Sequence, residues 1–194
     1  MRRETRDVRR EYFEITVMIK SLTFSILLIG MCLSMNAQEW KTPTIEGYGR
    51  IAEYEDAVIK PDPTKEYKVF FHITSNEERE GVNTSLWKIA RLINLLENGG
   101  VPKENIHIGA VISGPASPIV LTEPAHLKKM NKPNPNLDLL HKLSNYGVDI
   151  HFCGQAAAER NIDPHSELNP YTELTLSALT DIPTYQMLGY IIMF

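Results

Sequence analysis

Cys153 lies between an apolar run and an alanine-rich run, in the stretch VDIHFCGQAAAERNI at residues 148–162. The pattern predicts a buried strand that ends at the cysteine and a helix that starts at Gly154. Unpaired N–H groups at a helix start stabilise a thiolate, the form of cysteine that acts as a nucleophile or carries sulfur. The alternative is a packing role, because free cysteine is among the most buried residue types.

Two other segments are expected to meet Cys153, because ligands of parallel sheets bind beyond the carboxyl ends of the strands. These segments are HITSNEEREG, from residue 72, and SGPASP, from residue 113. Backbone N–H groups of the SGPASP turn could bind a small anion. The residues expected to line this crevice, besides Cys153, are His72, Ser113, Gly114, Ser117, His151, Gly154, Gln155 and Arg160.

His151 lies two residues before Cys153, so both side chains point to the same face of a strand. It is interpreted either as a proton partner of the thiol or as a histidine packed under a helix. Its ring is expected about 6–7 Å along the strand from the cysteine, which is beyond direct hydrogen bonding. The remaining histidines show no metal-ligand spacing, and no nucleotide-binding motif is present, so neither a metal nor a cofactor is predicted.

The elements that position these residues alternate between strands and helices. Strands are predicted over 68–73, 106–112 and 148–153, with a final strand over 185–194. The intervening helices are predicted to start near Asn83, at 122, at Pro135 with Asn134 as its cap, at Gly154, and at Asn169-Pro170, the last stopping before Pro183. Alternating strands and helices imply right-handed βαβ units. We therefore predict a three-layer α/β/α sandwich with a mainly parallel five-stranded sheet, of flavodoxin-like type.

The N-terminus has the features of a secretory signal peptide. The apolar run at residues 21–35 follows Lys20 and precedes Ala37, after which cleavage is expected. Counting from Met18 gives a signal peptide of normal size, so Met18 is the expected start; an unusually long basic n-region is the alternative. Attachment of a lipid at Cys32 is the less favoured reading, because Met31 stands where a small residue is usual.

The rest of the chain is predicted to form an N-terminal arm over 38–65 and one α/β domain over 66–194. The chain has 194 residues and a formal net charge of −4, which does not favour a nucleic acid as partner. No apolar stretch after residue 37 is long enough to predict a stable membrane span.

The stretch CGQAAAERNI resembles the DsrE/DsrF-like family of small sulfur-handling α/β proteins. In that family a cysteine ends a strand, a small-residue helix start follows, and an arginine comes seven positions later, which here is Arg160. The helix SLWKIARLINLLENGG and the segment SALTDIPTY continue the resemblance over about residues 66–194. The arm and the phrase NPNLDLL resemble an exported branch of the family seen in Bacteroidetes-type bacteria.

The resemblance implies a homo-oligomer in which Cys153 carries a persulfide between a sulfur-donor and a sulfur-acceptor protein. Two further functions stay open at this point. The same fold can serve as a non-catalytic module that binds a small ligand or a protein, with Cys153 in its wall. Cys153 can also act as a thiol redox sensor that forms a disulfide between subunits.

Overall fold

The computed structural model describes residues 39–194. The predicted signal peptide, its cleavage after Ala37, the start at Met18 and the lipidation of Cys32 all lie outside these residues. Within the described part of the chain, no helix has both the length and the apolar character that a membrane crossing requires.

The described residues alternate between strands and helices, much as the hydrophobic pattern predicts. The strands are β1 (Tyr67–Ile73), β2 (Glu78–Arg79), β3 (Val82–Asn83), β4 (Ile106–Ile112), β5 (Asp149–Cys153), β6 (Glu173–Thr175) and β7 (Ile191–Met193). The helices are α1 (Thr84–Asn98), α2 (Glu123–Met130), α3 (Leu137–Tyr146), α4 (Gly154–Glu159) and α5 (Ala178–Met187). Two 3-10 helices cover Lys103–Asn105 and Gly114–Val120.

Five strands form one sheet in the order β6-β5-β4-β1-β7, and every neighbouring pair is parallel. The predicted α/β class and the parallel five-stranded sheet are confirmed. From β1 to β6 the chain steps in one direction across the sheet, and from β6 to β7 it steps back. Because such crossovers are right-handed, α5 lies on the opposite face from α1 and α3. The short antiparallel hairpin of β2 and β3 was not predicted.

The face of the sheet that α5 covers carries three residues of the predicted site, His72, His151 and Cys153. Tyr185 of α5 stacks on Phe70 of β1, with ring centroids 3.9 Å apart. Since side chains alternate along a strand, His72 shares the face of Phe70. The register pairs His72 with Val111 and Val111 with His151, so His151 and Cys153 also face α5.

The predicted helix from Asn169-Pro170 to Pro183 is wrong. Asn169 instead binds the carbonyl of Val120 through its backbone N–H and its side-chain amide, and its Oδ1 accepts the N–H of Tyr171. These bonds hold the segment in a turn that leads into the edge strand β6. The helix begins later, where the Ser177 hydroxyl accepts the N–H of Leu179, and it runs through Pro183.

Two further boundaries differ from the prediction. The final strand does not span 185–194, because residues 185–187 belong to α5 and Gly189, at φ 86°, follows the helix end. Only Ile191–Met193 then pair with β1. Helix α3 starts after Asn136 rather than at Pro135, because the side chain of Asn134 donates to the carbonyls of Ile119 and Leu121.

The segment before β1 is fastened to α1 by a buried asparagine. Asn94 is 0% exposed; its Oδ1 accepts the N–H groups of Thr44 and Ile45, and its Nδ2 donates to the carbonyls of Tyr48 and Gly49. A buried amide that satisfies four backbone groups fixes this segment in one position.

Two tryptophans and three arginines reinforce that attachment by cation–π contacts. The guanidinium of Arg91 lies 4.0 Å from the ring centroid of Trp87 and 5.6 Å from that of Trp40. Arg79 stacks on Trp87 at 3.7 Å, and Arg50 lies over Trp40 at 5.0 Å. The arginines and tryptophans thus join the segment before β1 to the β2–β3 hairpin and to α1.

Replacing Asn94 tests how much this attachment contributes to stability. Asn94→Ala leaves four buried backbone groups without partners, so we expect a loss of about 2–4 kcal/mol in the free energy of unfolding. Asn98→Ala on the same helix removes only an exposed bond to Glu53 and serves as the control. Urea unfolding followed by circular dichroism measures both; equal losses would contradict the role assigned to Asn94.

Candidate functional site

Cys153 is the last residue of β5 and lies at the carboxyl edge of the sheet. It is a free cysteine with 5% of its surface exposed. Its register partner on β6 is Thr175, and α4 begins at the next residue, Gly154. A sulfur at this position lies where parallel sheets bind their ligands.

Two helix starts supply hydrogen-bond donors to the Cys153 sulfur. The start of α4 provides the N–H groups of Gln155 and Ala156, and the start of α5 provides the N–H of Ala178. The Ser177 hydroxyl, at the N-cap of α5, lies 3.9 Å from Sγ. Burial raises the pKa of the Cys153 thiol, but these donors together outweigh burial and leave the pKa below its usual value. The arrangement therefore favours a thiolate.

Gly154 allows the start of α5 to approach Cys153 this closely. A Cβ at residue 154 would lie 2.9 Å from the carbonyl oxygen of Thr175 and 3.3 Å from that of Leu176. The side chain of Gln155 donates to the same Leu176 carbonyl at 3.2 Å. The glycine thus permits, and the glutamine secures, the contact between the β6–α5 turn and the start of α4.

His151 packs beneath α5 and is held by a carboxylate. Its Nδ1 lies 2.9 Å from Oδ2 of Asp181, and its ring lies 5.9 Å from that of Tyr185. The other oxygen of Asp181 accepts the hydroxyl of Thr175. Asp181 therefore ties the first turn of α5 to β5 and β6, and His151 is one of its anchors.

The structure brings His72 and Ser113 together. Nε2 of His72 lies 2.9 Å from Oγ of Ser113, and burial lowers the pKa of the half-buried imidazole. Gly114 follows at φ 58°, a left-handed conformation that favours glycine, and starts the 3-10 helix after β4. The two residues thus form a hydrogen-bonded pair on the α5 face.

Ser117 and Arg160 do not contribute to the surroundings of the Cys153 sulfur. Ser117 is fully buried, and its hydroxyl donates to the Gly114 carbonyl, so it stabilises the 3-10 helix rather than facing a ligand. Arg160 follows α4, pairs with Glu159, and lines a cavity of about 390 Å³ beside Pro115 and Ile162. Across residues 39–194, no cluster of three or more potential metal ligands is found.

The sequence prediction missed the second half of the cysteine environment. Ser177, Ala178 and Asp181 lie about 25 residues after Cys153, inside a segment predicted as the interior of a helix that starts at Asn169. A serine before an alanine, with an acidic residue four positions later, is a helix-start signal that could have placed this cap. Nothing in the sequence indicates that the cap meets Cys153.

In a comparison with known protein families, residues 68–194 match the DsrE/DsrF-like family model. No curated protein matches the chain. Among solved structures, the chain is similar to the protein of unknown function MTH1491 from Methanobacterium thermoautotrophicum. The two share 18% identity over 66% of this chain and 98% of that one, with a TM-score of 0.49. Because the family match spans about two thirds of its length, the chain belongs to the DsrE/DsrF-like family.

Proposed function

We propose that this protein is an exported sulfur carrier, in which Cys153 accepts sulfane sulfur as a persulfide and passes it to a partner. One observation carries the proposal: the Cys153 sulfur is surrounded by donors from two helix starts, which favour its thiolate. Membership of the DsrE/DsrF-like family supports a role in sulfur relay. Arg160, which the family resemblance also singles out, has no part in the proposed step because it lies away from the sulfur.

The proposed acceptance step is a thiolate attack on a hydropersulfide donor. Cys153–S⁻ attacks the terminal sulfur of R–S–SH, so a new S–S bond forms on Sγ while the donor S–S bond breaks. The products are Cys153–S–SH and the thiolate R–S⁻, so atoms and charge balance. Donors around Sγ lower the pKa of the Cys153 thiol and so increase the fraction of thiolate, which is the nucleophile of this step.

We further propose that the protein acts as a homo-oligomer. Large apolar side chains are exposed on and around α5 and β7: Leu176, Leu179, Met187, Leu188, Ile191 and Phe194. Leu179 is 83% exposed and Ile191 is 69% exposed. An exposed apolar surface of this kind marks an interaction site in soluble proteins, and β7 is a short strand at the edge of the sheet.

Export is proposed from the apolar run at residues 21–35 and the small residue Ala37. An exported carrier meets an oxidising compartment, where a single thiol has no partner within the chain after cleavage. Its sulfur donor and acceptor would then be proteins or small molecules of that compartment.

Incubation of the mature domain with polysulfide tests whether Cys153 carries sulfur. We expect the mature domain to gain about 32 Da per bound sulfur in its intact mass, and Cys153→Ser to gain nothing. An unreactive thiol would contradict the carrier and favour a binding module. A covalent dimer under mild oxidation, without the sulfur adduct, would favour a redox sensor instead.

Removing the Ser177 hydroxyl tests the donors around the sulfur. We expect Ser177→Ala to raise the pKa of the Cys153 thiol, because one of the groups that lower it is lost. The rate of iodoacetamide alkylation against pH measures this, with the wild-type midpoint lying below that of free cysteine. Thr122→Ala removes the N-cap of α2, far along the chain from the thiol, and should leave the midpoint unchanged. Identical profiles for all three proteins would refute the role of Ser177.

Expression of the full sequence tests export and assembly. We expect N-terminal sequencing to show that the mature protein begins at Gln38. We expect light scattering to give a mass that is a multiple of the monomer mass. Replacement of Leu179 by Glu should reduce that mass to the monomer, whereas replacement of the exposed Val58 by Glu should not. A wild-type monomer, or a chain with residues 21–35 still attached, would contradict the corresponding proposal.

A further inference from the structure

The proposed acceptance of sulfur by Cys153 does not use the hydrogen-bonded pair of His72 and Ser113. Nε2 of His72 lies 2.9 Å from the Ser113 hydroxyl, and among the described residues its Nδ1 has no hydrogen-bond partner. An imidazole bound to a hydroxyl at the carboxyl edge of a parallel sheet is a typical proton-accepting arrangement.

The strand register places Ser113 beside Cys153. The last pair of β4 and β5 joins Ile112 to Phe152, and the next residues in the chain are Ser113, directly after β4, and Cys153, the last residue of β5. Adjacent strands lie about 4.8 Å apart, so these two residues are neighbours across the sheet edge. Both follow the alternation of the α5 face, on which His72 also lies.

Ser113 is held in place by the backbone around it. Its N–H donates to the carbonyl of Ile73, the last residue of β1, and its own carbonyl accepts the N–H of Ala116. Its backbone is extended, at φ −152°, immediately before the turn at Gly114. The hydroxyl is therefore positioned between the end of β1, which carries His72, and the end of β5, which carries Cys153.

The surroundings of His72 keep its ring neutral. Burial alone lowers the pKa of the imidazole, and within residues 39–194 no charged side chain pairs with it. The ring of Phe194 lies edge-on, with centroids 6.2 Å apart, and Val111 is its neighbour on β4. A neutral imidazole can take a proton at neutral pH, whereas an imidazolium cannot.

We propose that Ser113 and His72 accept the proton of the thiol that removes sulfur from Cys153. The inference rests on the proposed carrier function and adds the release step to it. Ser113 would contact the acceptor thiol, and His72 would act through Ser113. The acceptor class is a small thiol or an exposed protein thiol, because the Cys153 sulfur is too buried for a large group to enter.

Release transfers one proton to His72 and one sulfur atom to the acceptor. The acceptor R′–SH gives its proton to Ser113 Oγ while the Ser113 hydroxyl proton passes to Nε2 of His72, which becomes an imidazolium. The thiolate R′–S⁻ attacks the outer sulfur of Cys153–S–SH, so an S–S bond forms to the acceptor and the bond to Sγ breaks. The products are R′–S–SH and Cys153–S⁻, and His72 returns its proton to the solvent.

His151 is not the proton acceptor in this step. Its Nδ1 is bound to Asp181, and its ring lies among Phe70 and Tyr185 under α5. His72, by contrast, is bonded to Ser113, which follows β4 at the carboxyl edge of the sheet.

The test measures sulfur release from loaded protein. Cys153 is first loaded with polysulfide, excess reagent is removed, and free cysteine is added as acceptor at pH 6–9. Loss of the adduct is followed by intact mass. We expect His72→Gln and Ser113→Ala to slow release by about 10²-fold at neutral pH, the usual contribution of a general base. The deficit should shrink as the pH exceeds about 8.5, where the acceptor thiol ionises unaided.

Two controls separate a proton-transfer role from a structural one. His107→Gln changes a histidine at the amino end of β4, which pairs with Lys68, and should release sulfur at the wild-type rate. Alkylation of unloaded Cys153 by iodoacetamide should be the same in all variants, because acceptance does not use His72. Release by His72→Gln at the wild-type rate across the pH range, or a deficit that does not change with pH, would overturn the inference.

A second adduct on Cys153 distinguishes failure of this inference from failure of the carrier proposal. If polysulfide adds no sulfur to Cys153, the carrier proposal fails, and Cys153 is instead loaded with a small methylthio group from methyl methanethiosulfonate as a mixed disulfide. Its release by cysteine is followed by intact mass in the same variants over the same pH range. A pH-dependent deficit in His72→Gln supports the pair; equal rates, or a thiol that takes neither adduct, overturn it.

Discussion

The contact between the β6–α5 turn and the start of α4 is the constraint on which the site depends. The α4 donors follow Cys153 directly in the chain, but the α5 donors come only after the chain has passed from β5 to β6, at the start of the helix that leads back over the sheet. Gly154 makes the contact possible, since a Cβ there would lie 2.9 Å from the Thr175 carbonyl oxygen. Without that approach the sulfur would keep one helix start and lose Ala178 and Ser177.

Asp181 explains how the turn is kept in place. A buried carboxylate costs several kcal/mol unless hydrogen bonds compensate for its lost hydration. Here one oxygen accepts the Thr175 hydroxyl and the other meets Nδ1 of His151, while its backbone N–H donates to the Ser177 carbonyl. The bonds connect the first turn of α5 to β5 and β6, the two strands that flank the sulfur.

Local patterns were enough to predict the first half of the site. The apolar run that ends at Cys153 and the small residues after it predict a strand–helix junction, and the structure has one there. The second half depends on pairing across the chain. Asn169 looks like a helix start from its neighbours alone, but its side chain is committed to Val120, about 49 residues earlier. Such a bond leaves no periodic signal in the sequence.

The same limit applies to His72 and Ser113. Both were expected near the carboxyl edge because each follows or ends a buried strand, and parallel strands end at a common edge. Their hydrogen bond depends on the β1–β4 register, which pairs His72 with Val111 and thereby leaves Ser113 one row beyond it. Register follows from which residues pair once the sheet is assembled, so hydrophobic alternation predicts the shared face but not the partner.

A stabilised thiolate has opposite effects on the two halves of sulfur transfer. Lowering the pKa of a thiol makes its thiolate more abundant but less nucleophilic, and it also makes that thiolate a better leaving group. In the proposed acceptance of sulfur by Cys153, the first two effects oppose each other; in the proposed release, the third effect alone operates. The donors around Sγ therefore favour release, provided that the acceptor thiol is ionised. In the release step proposed for His72 and Ser113, a neutral imidazole bound to a hydroxyl at the next strand end would supply that ionisation without a positive charge beside Sγ before the acceptor arrives.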